Sequence, residues 1–185
     1  MVKKKISKFN RKLLVIMKFV LLLNLISLPL YIANYTIDDF GELQVAIAEI
    51  CNRLLNAVGY ETVTQGNVIL TVADNSLLRF SISRDSTGWK SVYALVALVM
   101  ASPIVLNKKI RFVLLPKQKL IFLSMTLPII FIANIFRVAT TIGISISYGF
   151  SYFGLVHDLL WSVGMIGVVL GIWLIWIRRQ RYNIG

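Results

Sequence analysis

Four apolar stretches alternate with polar segments along the chain, and each is long enough to form a membrane-spanning helix. A hydrocarbon core of about 30 Å takes about 20 helical residues to cross. The four stretches are residues 13–34, 89–106, 120–136 and 157–177. The third runs on into the mildly polar sequence VATTIGISIS, which leaves its end open as far as about Ile146. The pattern therefore predicts a mainly α-helical, polytopic membrane protein, a single membrane domain over residues 1–185 with about four transmembrane helices.

The segment between the first two apolar stretches, residues 35–88, has two patterns of its own. Apolar residues recur at helical spacing behind acidic residues suited to a helix start, which predicts an amphipathic helix from about Asp38 to Val58. The sequence after Gly59 is rich in β-branched residues and is interrupted by QGN and ADNS, which are typical of turns. It predicts a short β-meander that leads the chain to Ser86. Residues 35–88 are thus expected to form an insert on the outer side of the membrane.

The distribution of charge predicts how the chain is oriented in the membrane. Only 15% of the residues are charged and 57% are hydrophobic, yet the formal net charge is +12. Most of the Lys and Arg residues lie in segments 3–12, 108–119 and 178–181, where no acid occurs, and all eight acids lie elsewhere. Basic residues accumulate on the cytoplasmic side of membrane proteins. The protein is therefore expected in the cytoplasmic membrane, with both termini and the 107–119 loop inside and residues 35–88 and about 147–156 outside.

The same charge pattern argues against two other classes of protein. A nucleic-acid-binding surface needs basic residues on a folded polar domain, whereas these lie at the ends of apolar stretches, so no nucleic-acid partner is expected. A secretory signal peptide is the competing interpretation of the basic N-terminus and first apolar stretch. No small-x-small cleavage site stands near Pro29 to Tyr35, which favours an uncleaved helix.

The chain has a single cysteine, Cys51, and a single histidine, His157. One cysteine cannot form an intramolecular disulfide, and the two residues together make no Cys/His metal set. Cys51 has no activating neighbour in EICNRLL and is expected to be buried as a small hydrophobic residue. No metal or organic cofactor is expected.

Three polar residues at the predicted membrane boundary are candidates for chemistry, because polar groups at membrane depth are costly. Ser86 stands where a strand gives way to a helix; it is either a nucleophile or a helix cap. Arg137 has eight uncharged residues on either side and either binds substrate or pairs with an outer acid such as Asp85. His157 begins the last apolar stretch and suits proton transfer, although a boundary histidine with an ordinary hydrogen bond is the alternative. All three fall at the same predicted depth.

The order of the motifs resembles that of the exosortase/archaeosortase family of membrane-embedded sorting transpeptidases. Members have an outward-facing LL…G…G…I stretch, a Cys-Thr/Ser-Gly motif at the head of a membrane helix, an Asn-x-x-Arg motif and a histidine at the head of a later helix. The corresponding sequences here are LLNAVGYETVTQGNVI (54–69), DSTGWKSVYALVAL (85–98), ANIFRVATTIGIS (133–145) and HDLLWSVGMIGVVLGI (157–172). The resemblance covers about residues 42–175.

The resemblance implies a catalytic set and a function. The catalytic residues would be Ser86, Arg137 and His157, and the supporting residues would be Asn134, Thr87 and Gly88 of the same motifs. Asp85, directly before the Ser-Thr-Gly motif, is a further supporting candidate by its position. The partners implied are secreted proteins that carry a C-terminal sorting motif, a transmembrane helix and a basic tail, together with membrane lipids and a lipid acceptor. The enzyme would cleave the sorting signal at the outer membrane surface and transfer the protein to the acceptor.

This sequence departs from the family at the nucleophile, which is serine where the family has cysteine. A serine hydroxyl is far less acidic than a thiol and needs a true general base. Two hypotheses stay open: an inactivated Cys-to-Ser form, and a serine variant that forms an ester intermediate. Asp158 is not expected to orient His157, because side chains at i and i+1 of a helix do not face each other, whereas Asp85 would if its loop folded back. The alternative to an enzyme is a non-enzymatic assembly or partner-binding membrane protein.

Overall fold

The computed structural model describes residues 2–36, 40–73, 76–106 and 109–182, and it confirms a mainly helical chain with a short antiparallel sheet. The α-helices are α1 (Val2–Thr36), α2 (Gly41–Ala57), α3 (Trp89–Ala101), α4 (Lys117–Tyr148), α5 (Phe153–Leu159) and α6 (Ile166–Tyr182). The strands are β1 (Thr62–Gln65), β2 (Val68–Ala73), β3 (Ser76–Ser81), β4 (Ile104–Leu106) and β5 (Lys109–Arg111). Short 3-10 helices cover Arg84–Thr87 and Phe150–Tyr152, and a π-helical segment covers Leu160–Met165 between α5 and α6.

Three helical segments of the described chain are long and apolar enough to cross a membrane, where the sequence predicted about four. They are Leu13–Ala33, Lys117–Tyr148 and Phe150–Gln180. The third predicted stretch, 120–136, thus continues as helix beyond Ile146. The fourth predicted stretch, 157–177, lies in a helical run that starts seven residues earlier, at Phe150.

The second predicted span, 89–106, differs most from the structure. Helix α3 has 13 residues, which gives a length of about 20 Å. It ends at Ala101 because Pro103 disfavours a helical conformation at the residue before it, and Ser102 is accordingly extended. The apolar residues 104–106 then pair with 109–111 as a two-stranded hairpin. The apolar sequence continues to Leu106, but the helix ends at Ala101.

The insert has the predicted helix followed by the predicted meander. Helix α2 agrees with the amphipathic helix expected from about Asp38 to Val58, although Asp38 itself lies outside the described residues. Strands β1, β2 and β3 form an antiparallel sheet in that order. Gln65 pairs with Val68 across a two-residue loop in which Gly66 has φ +60°, as tight hairpins require. The sequence QGN therefore marks a true hairpin turn.

Hydrogen bonds of polar side chains connect α2 to the sheet of the insert and connect the insert to α4. The amide of Asn56 pairs with the backbone of Thr62 in both directions, at 3.1 Å and 3.0 Å, and so ties the end of α2 to β1. The hydroxyl of Tyr60 lies 2.6 Å from that of Ser147 near the end of α4. Because α2 and the sheet are both attached, β3 delivers the chain to residues 84–88 at a fixed place beside α4.

Helix α4 connects two apolar cores along its length. The outer core lies between α2, the sheet and the second half of α4; it includes Ile47, Cys51, Ile69 and Ile142. The inner core lies between α3, α6 and the first half of α4. Ile130 belongs to the inner core and Ile135 to the outer one. The polar residues of α4 that the sequence singled out lie at this junction.

A buried lysine holds the end of α3 at the other end of the bundle. The side chain of Lys119 is fully buried, and its Nζ donates to the carbonyl oxygens of Met100 at 2.6 Å and Val113 at 2.8 Å. Met100 lies in the last turn of α3, where carbonyls lack helical partners. The positive charge of Lys119 also interacts favourably with the negative, C-terminal end of the α3 dipole. Lys119 therefore stabilises the early termination of α3.

We expect Lys119→Met to lower the free energy of unfolding by about 2–4 kcal/mol, because two buried carbonyls lose a charged donor. Lys117→Met, at an exposed position on the same helix, should change it by less than about 0.5 kcal/mol. Thermal unfolding of both variants in detergent measures the difference. Equal stability of the two would contradict a structural role for the buried ammonium group.

Candidate active site

Ser86 lies in the 3-10 helix between β3 and α3, and it does not cap α3. Helix α3 begins at Trp89 with Gly88 as its N-cap residue, and no side chain caps it. The hydroxyl of Ser86 contacts that of Ser83 at 3.1 Å. Thr87 is buried and donates its hydroxyl hydrogen to the carbonyl of Arg84 at 2.6 Å, which closes the turn. The helix-cap interpretation of Ser86 is therefore wrong: its hydroxyl contacts Ser83, and Gly88 of the same Ser-Thr-Gly sequence is the N-cap residue.

Gly88 allows α4 to approach this turn closely. Its φ is +83°, in the region that favours glycine. A Cβ atom at this position would lie 2.8 Å from Cγ of Asn134, too close for any real contact. Asn134 is fully buried and donates from Nδ2 to the carbonyl oxygen of Ser86 at 2.8 Å. Gly88 and Asn134 thus fix the backbone of Ser86 against α4.

Arg137 lies one turn further along α4 and reaches the same carbonyl. The residue is only 6% exposed, and its Nη2 donates to the Ser86 oxygen at 3.5 Å. Its Nε is buried without a hydrogen-bond partner, and the guanidinium carbon lies 4.8 Å from the ring centre of Trp161. Asp85 instead pairs with Lys90 at 2.8 Å, with both side chains largely exposed. An ion pair between Arg137 and Asp85 is therefore excluded.

His157 lies in α5 and pairs with the neighbouring carboxylate. Its Nδ1 is 3.1 Å from Oδ1 of Asp158, and its ring stacks on that of Phe153 with centres 5.7 Å apart. The expectation that Asp158 would not reach His157 is thus wrong. Both side chains are solvent-exposed, which leaves them free to bend towards each other along the helix surface. Asp85 does not take this role, because its described partner is Lys90.

One narrow cleft brings together Ser86, Arg137 and His157. Its remaining walls include Phe80, Ile82, Val138, Ile142 and Phe153, which are apolar. Its volume is about 30 Å³, room for a water molecule but not for a peptide. Within the described residues, no hydrogen bond joins His157 to Ser86. The structure therefore places the three predicted residues on one cleft, which is too narrow for a peptide.

Cys51 does not line this cleft. Its side chain is fully buried in the outer core, as the sequence predicted. Burial raises the pKa of the Cys51 thiol to about 12, and the positive charge of Arg137 offsets the effect only in part. A thiol with this pKa is protonated at physiological pH, so Cys51 is not a candidate nucleophile. The described part of the chain has no cluster of three metal-ligating side chains.

Two contacts of the site were not predicted from the sequence. The ring face of Trp161 contacts the guanidinium of Arg137, and Oδ1 of Asp158 lies within hydrogen-bond distance of Nδ1 of His157. The spacing of HDLLW gives a signal for the first, because residues four apart lie on one helix face. No sequence rule indicated the second, since adjacent residues point in different directions.

Comparison with known proteins identifies one family. The family model for transmembrane exosortases, Exosortase_EpsH, matches residues 7–160. This range covers Ser86, Asn134, Arg137 and His157 as well as the insert. No curated protein and no solved structure matches the chain.

We expect Gly88→Ala to cost about 2–4 kcal/mol of unfolding free energy, because the left-handed backbone is strained and the new methyl group collides with Asn134. Gly66→Ala is the matched control: its φ is +60° but nothing lies within 4 Å of the added atom. It should cost only about 1–2 kcal/mol. Thermal unfolding of both variants tests this. An equal loss of unfolding free energy in the two variants would mean that contact with Asn134 does not restrict the side chain at position 88.

We expect Cys51 to resist alkylation in the folded protein. Relative to a thiol with a pKa of 9.0, one with a pKa of about 12 has about a thousandfold less thiolate at pH 8. Mass spectrometry after iodoacetamide treatment at pH 8 should find the folded chain unmodified and the denatured chain fully modified. Rapid modification of the folded chain would contradict the burial of this residue.

Proposed function

The chain belongs to the transmembrane exosortase family, and we propose that it is a transpeptidase that cleaves C-terminal sorting signals of secreted proteins with Ser86 as its nucleophile. The observation that carries the proposal is the convergence of Ser86, Arg137 and His157 on one cleft. A nucleophile, a base and a cation for the oxyanion are the groups that acyl transfer needs. The family match supports the class of reaction.

The charge pattern supports a particular arrangement of the substrate. Basic residues near both ends of the chain and in the 107–119 loop favour a cytoplasmic location for these segments. The cleft then faces the outer side of the cytoplasmic membrane. A secreted protein whose apolar helix lies in the bilayer, with its basic tail inside, would present its sorting motif at this level. The acceptor, by analogy with the family, is a membrane lipid.

His157 is proposed as the general base that makes a serine nucleophile workable. When Nδ1–H donates to Asp158, the lone pair lies on Nε2, the arrangement used in serine hydrolases. The Ser86 oxygen then bonds to the carbonyl carbon of the scissile peptide as its proton passes to Nε2. Asp158 is largely exposed, so solvent screens its charge, and its main role is to fix the tautomer.

Arg137 is proposed to stabilise the oxyanion that this attack creates. Its Nε is buried and has no hydrogen-bond partner, so this donor would be available without breaking a hydrogen bond once the substrate reaches it. As the tetrahedral intermediate collapses, the C–N bond breaks and His157 returns its proton to the leaving amine. The acyl group remains as an ester on Ser86. An acceptor hydroxyl or amine, deprotonated by His157, then attacks the ester and restores the Ser86 hydroxyl.

A second candidate function is a non-enzymatic, partner-binding member of the family. One contact favours it: the hydroxyl of Ser86 is engaged with Ser83 and makes no described hydrogen bond to His157. In the enzyme, a rotation of the Ser86 side chain during widening of the cleft would free this hydroxyl. The two candidates therefore differ in whether the substituent at position 86 matters.

The test is processing of a reporter that ends in a sorting motif, an apolar helix and a basic tail, taken from the same genome. It is co-expressed with the unaltered chain, with Ser86→Cys and with Ser86→Ala. We expect cleavage by the unaltered chain and by Ser86→Cys, and at least about a thousandfold less by Ser86→Ala, which retains only binding and oxyanion stabilisation. Immunoblotting of the reporter measures the cleaved fraction.

Ser76→Ala, at an exposed position at the far end of β3, is the matched control and should leave processing unchanged. Cleavage by Ser86→Cys alone would identify the chain as an inactivated form of a cysteine enzyme. An absence of processing by every variant, with expression verified, would contradict the proposal and favour the partner-binding function.

A further inference from the structure

Arg137 is a buried cation without a carboxylate. Its guanidinium makes one long hydrogen bond, to the carbonyl of Ser86 at 3.5 Å, and no described Asp or Glu pairs with it. A buried charge with so few partners is costly and would be expected to move towards water. Some other interaction has to hold it in the cleft.

The face of Trp161 is the contact that the structure offers. The guanidinium carbon lies 4.8 Å from its ring centre, within the range of a cation–π interaction, for which Trp is the best aromatic partner. Trp161 is half-buried, and it also lines a groove of about 270 Å³ between α3 and the last helix, near Ser91, Ala94 and Met165. By contrast, Trp176 is only 1% exposed and fills the inner core. Trp161 thus packs against the inner core without being enclosed in it.

We propose that Trp161 is the positioning residue of the site, holding the Arg137 guanidinium against Ser86 through its ring face. The inference deepens the proposed function and rests on it for its catalytic meaning. A carboxylate in the same place would neutralise Arg137 and occupy its N–H donors. An aromatic face attracts the cation from one side and leaves the donors in the guanidinium plane free. The unpartnered Nε of Arg137 agrees with this arrangement.

The local helix geometry supports a dedicated role. Trp161 lies in the π-helical segment Leu160–Met165, which directly follows α5 with His157. A π-helical turn accommodates an extra residue and changes the direction of the side chains around it, and such turns are frequent at functional sites. His157 and Trp161 therefore lie on one continuous helical run, which packs against α4.

The experiment uses the reactivity of a thiol at position 86, which needs no sorting substrate. In the Ser86→Cys chain, the rate of alkylation by iodoacetamide is measured between pH 5 and pH 10; this reagent is uncharged, so the rate reports the thiolate fraction. A cation held nearby lowers the thiol pKa. We expect Trp161→Leu to slow alkylation at pH 7 by about three- to tenfold, a shift of about 0.5–1 pKa unit. Trp161→Phe, which keeps an aromatic face, should slow it by less than about twofold.

Three controls separate positioning from general damage. Trp173→Leu removes an indole from the same helical run, where the ring stacks on Phe19, and should leave the pH profile unchanged. Arg137→Ala should shift the profile as Trp161→Leu does, and adding Trp161→Leu to it should have no further effect. The unaltered chain, in which Cys51 is the single thiol, gives the background.

The result that overturns the proposal is a pH profile that is unchanged by Trp161→Leu while Arg137→Ala shifts it. An unchanged profile in Arg137→Ala also overturns it, because the guanidinium would then not act on position 86. Equal slowing of alkylation by Trp161→Leu and Trp161→Phe would also overturn the proposal, because Phe keeps an aromatic face and Leu does not. Failure of the reporter assay together with the expected thiol profiles would contradict the transpeptidase function and leave the positioning role of Trp161 intact.

Discussion

The burial of one guanidinium group between two apolar cores is the constraint on which the rest of the site depends. Arg137 lies where the outer and inner cores meet along α4, and the described structure offers it no acid. Backbone and aromatic groups offset the free-energy cost of burying the charge. The carbonyl of Ser86 contacts the guanidinium from one element, and the ring of Trp161 contacts it from another. The guanidinium is consequently buried without a carboxylate partner among the described residues.

This constraint explains why the insert and the bundle have to be built together. The carbonyl of Ser86 reaches α4 because Gly88 leaves no side chain between them and because Asn134 donates to the same oxygen. The strand that precedes this turn is fixed by the sheet, and the sheet is fixed by the polar contacts of Asn56 and Tyr60. A disturbance far out in the insert would therefore be transmitted to Ser86 through the backbone rather than through its side chain.

The sequence predicted the elements well and their contacts less well. Periodicity and turn residues were sufficient for α2 and the meander, because both patterns repeat over many residues. The order of the motifs predicted that Ser86, Arg137 and His157 would share one site, and all three line one cleft. Arg137 does so from the second half of α4 rather than from a helix end. The end of α3 was missed because apolar composition continues past Pro103, a single residue that breaks the pattern. The partners of the site residues were the hardest to foresee, since the Asp158 contact depends on side-chain rotation and the Trp161 contact on a π-helical turn.

The early end of α3 has a consequence for how this helix fits a membrane. Its 13 residues span about 20 Å, less than the roughly 30 Å thickness of a bilayer core. The loop carrying Ser86 lies at one end, and at the other the carbonyls of the last turn are satisfied by Lys119 and by Ser102, whose hydroxyl also accepts from Trp173. A helix of this length does not cross a bilayer core of full thickness by itself, and such a mismatch is relieved by thinning of the bilayer, by flanking side chains that reach the interface or by association with other helices. Helix α3 packs against α1, α4 and α6, which are all longer, so the apolar length that it lacks is supplied by its neighbours.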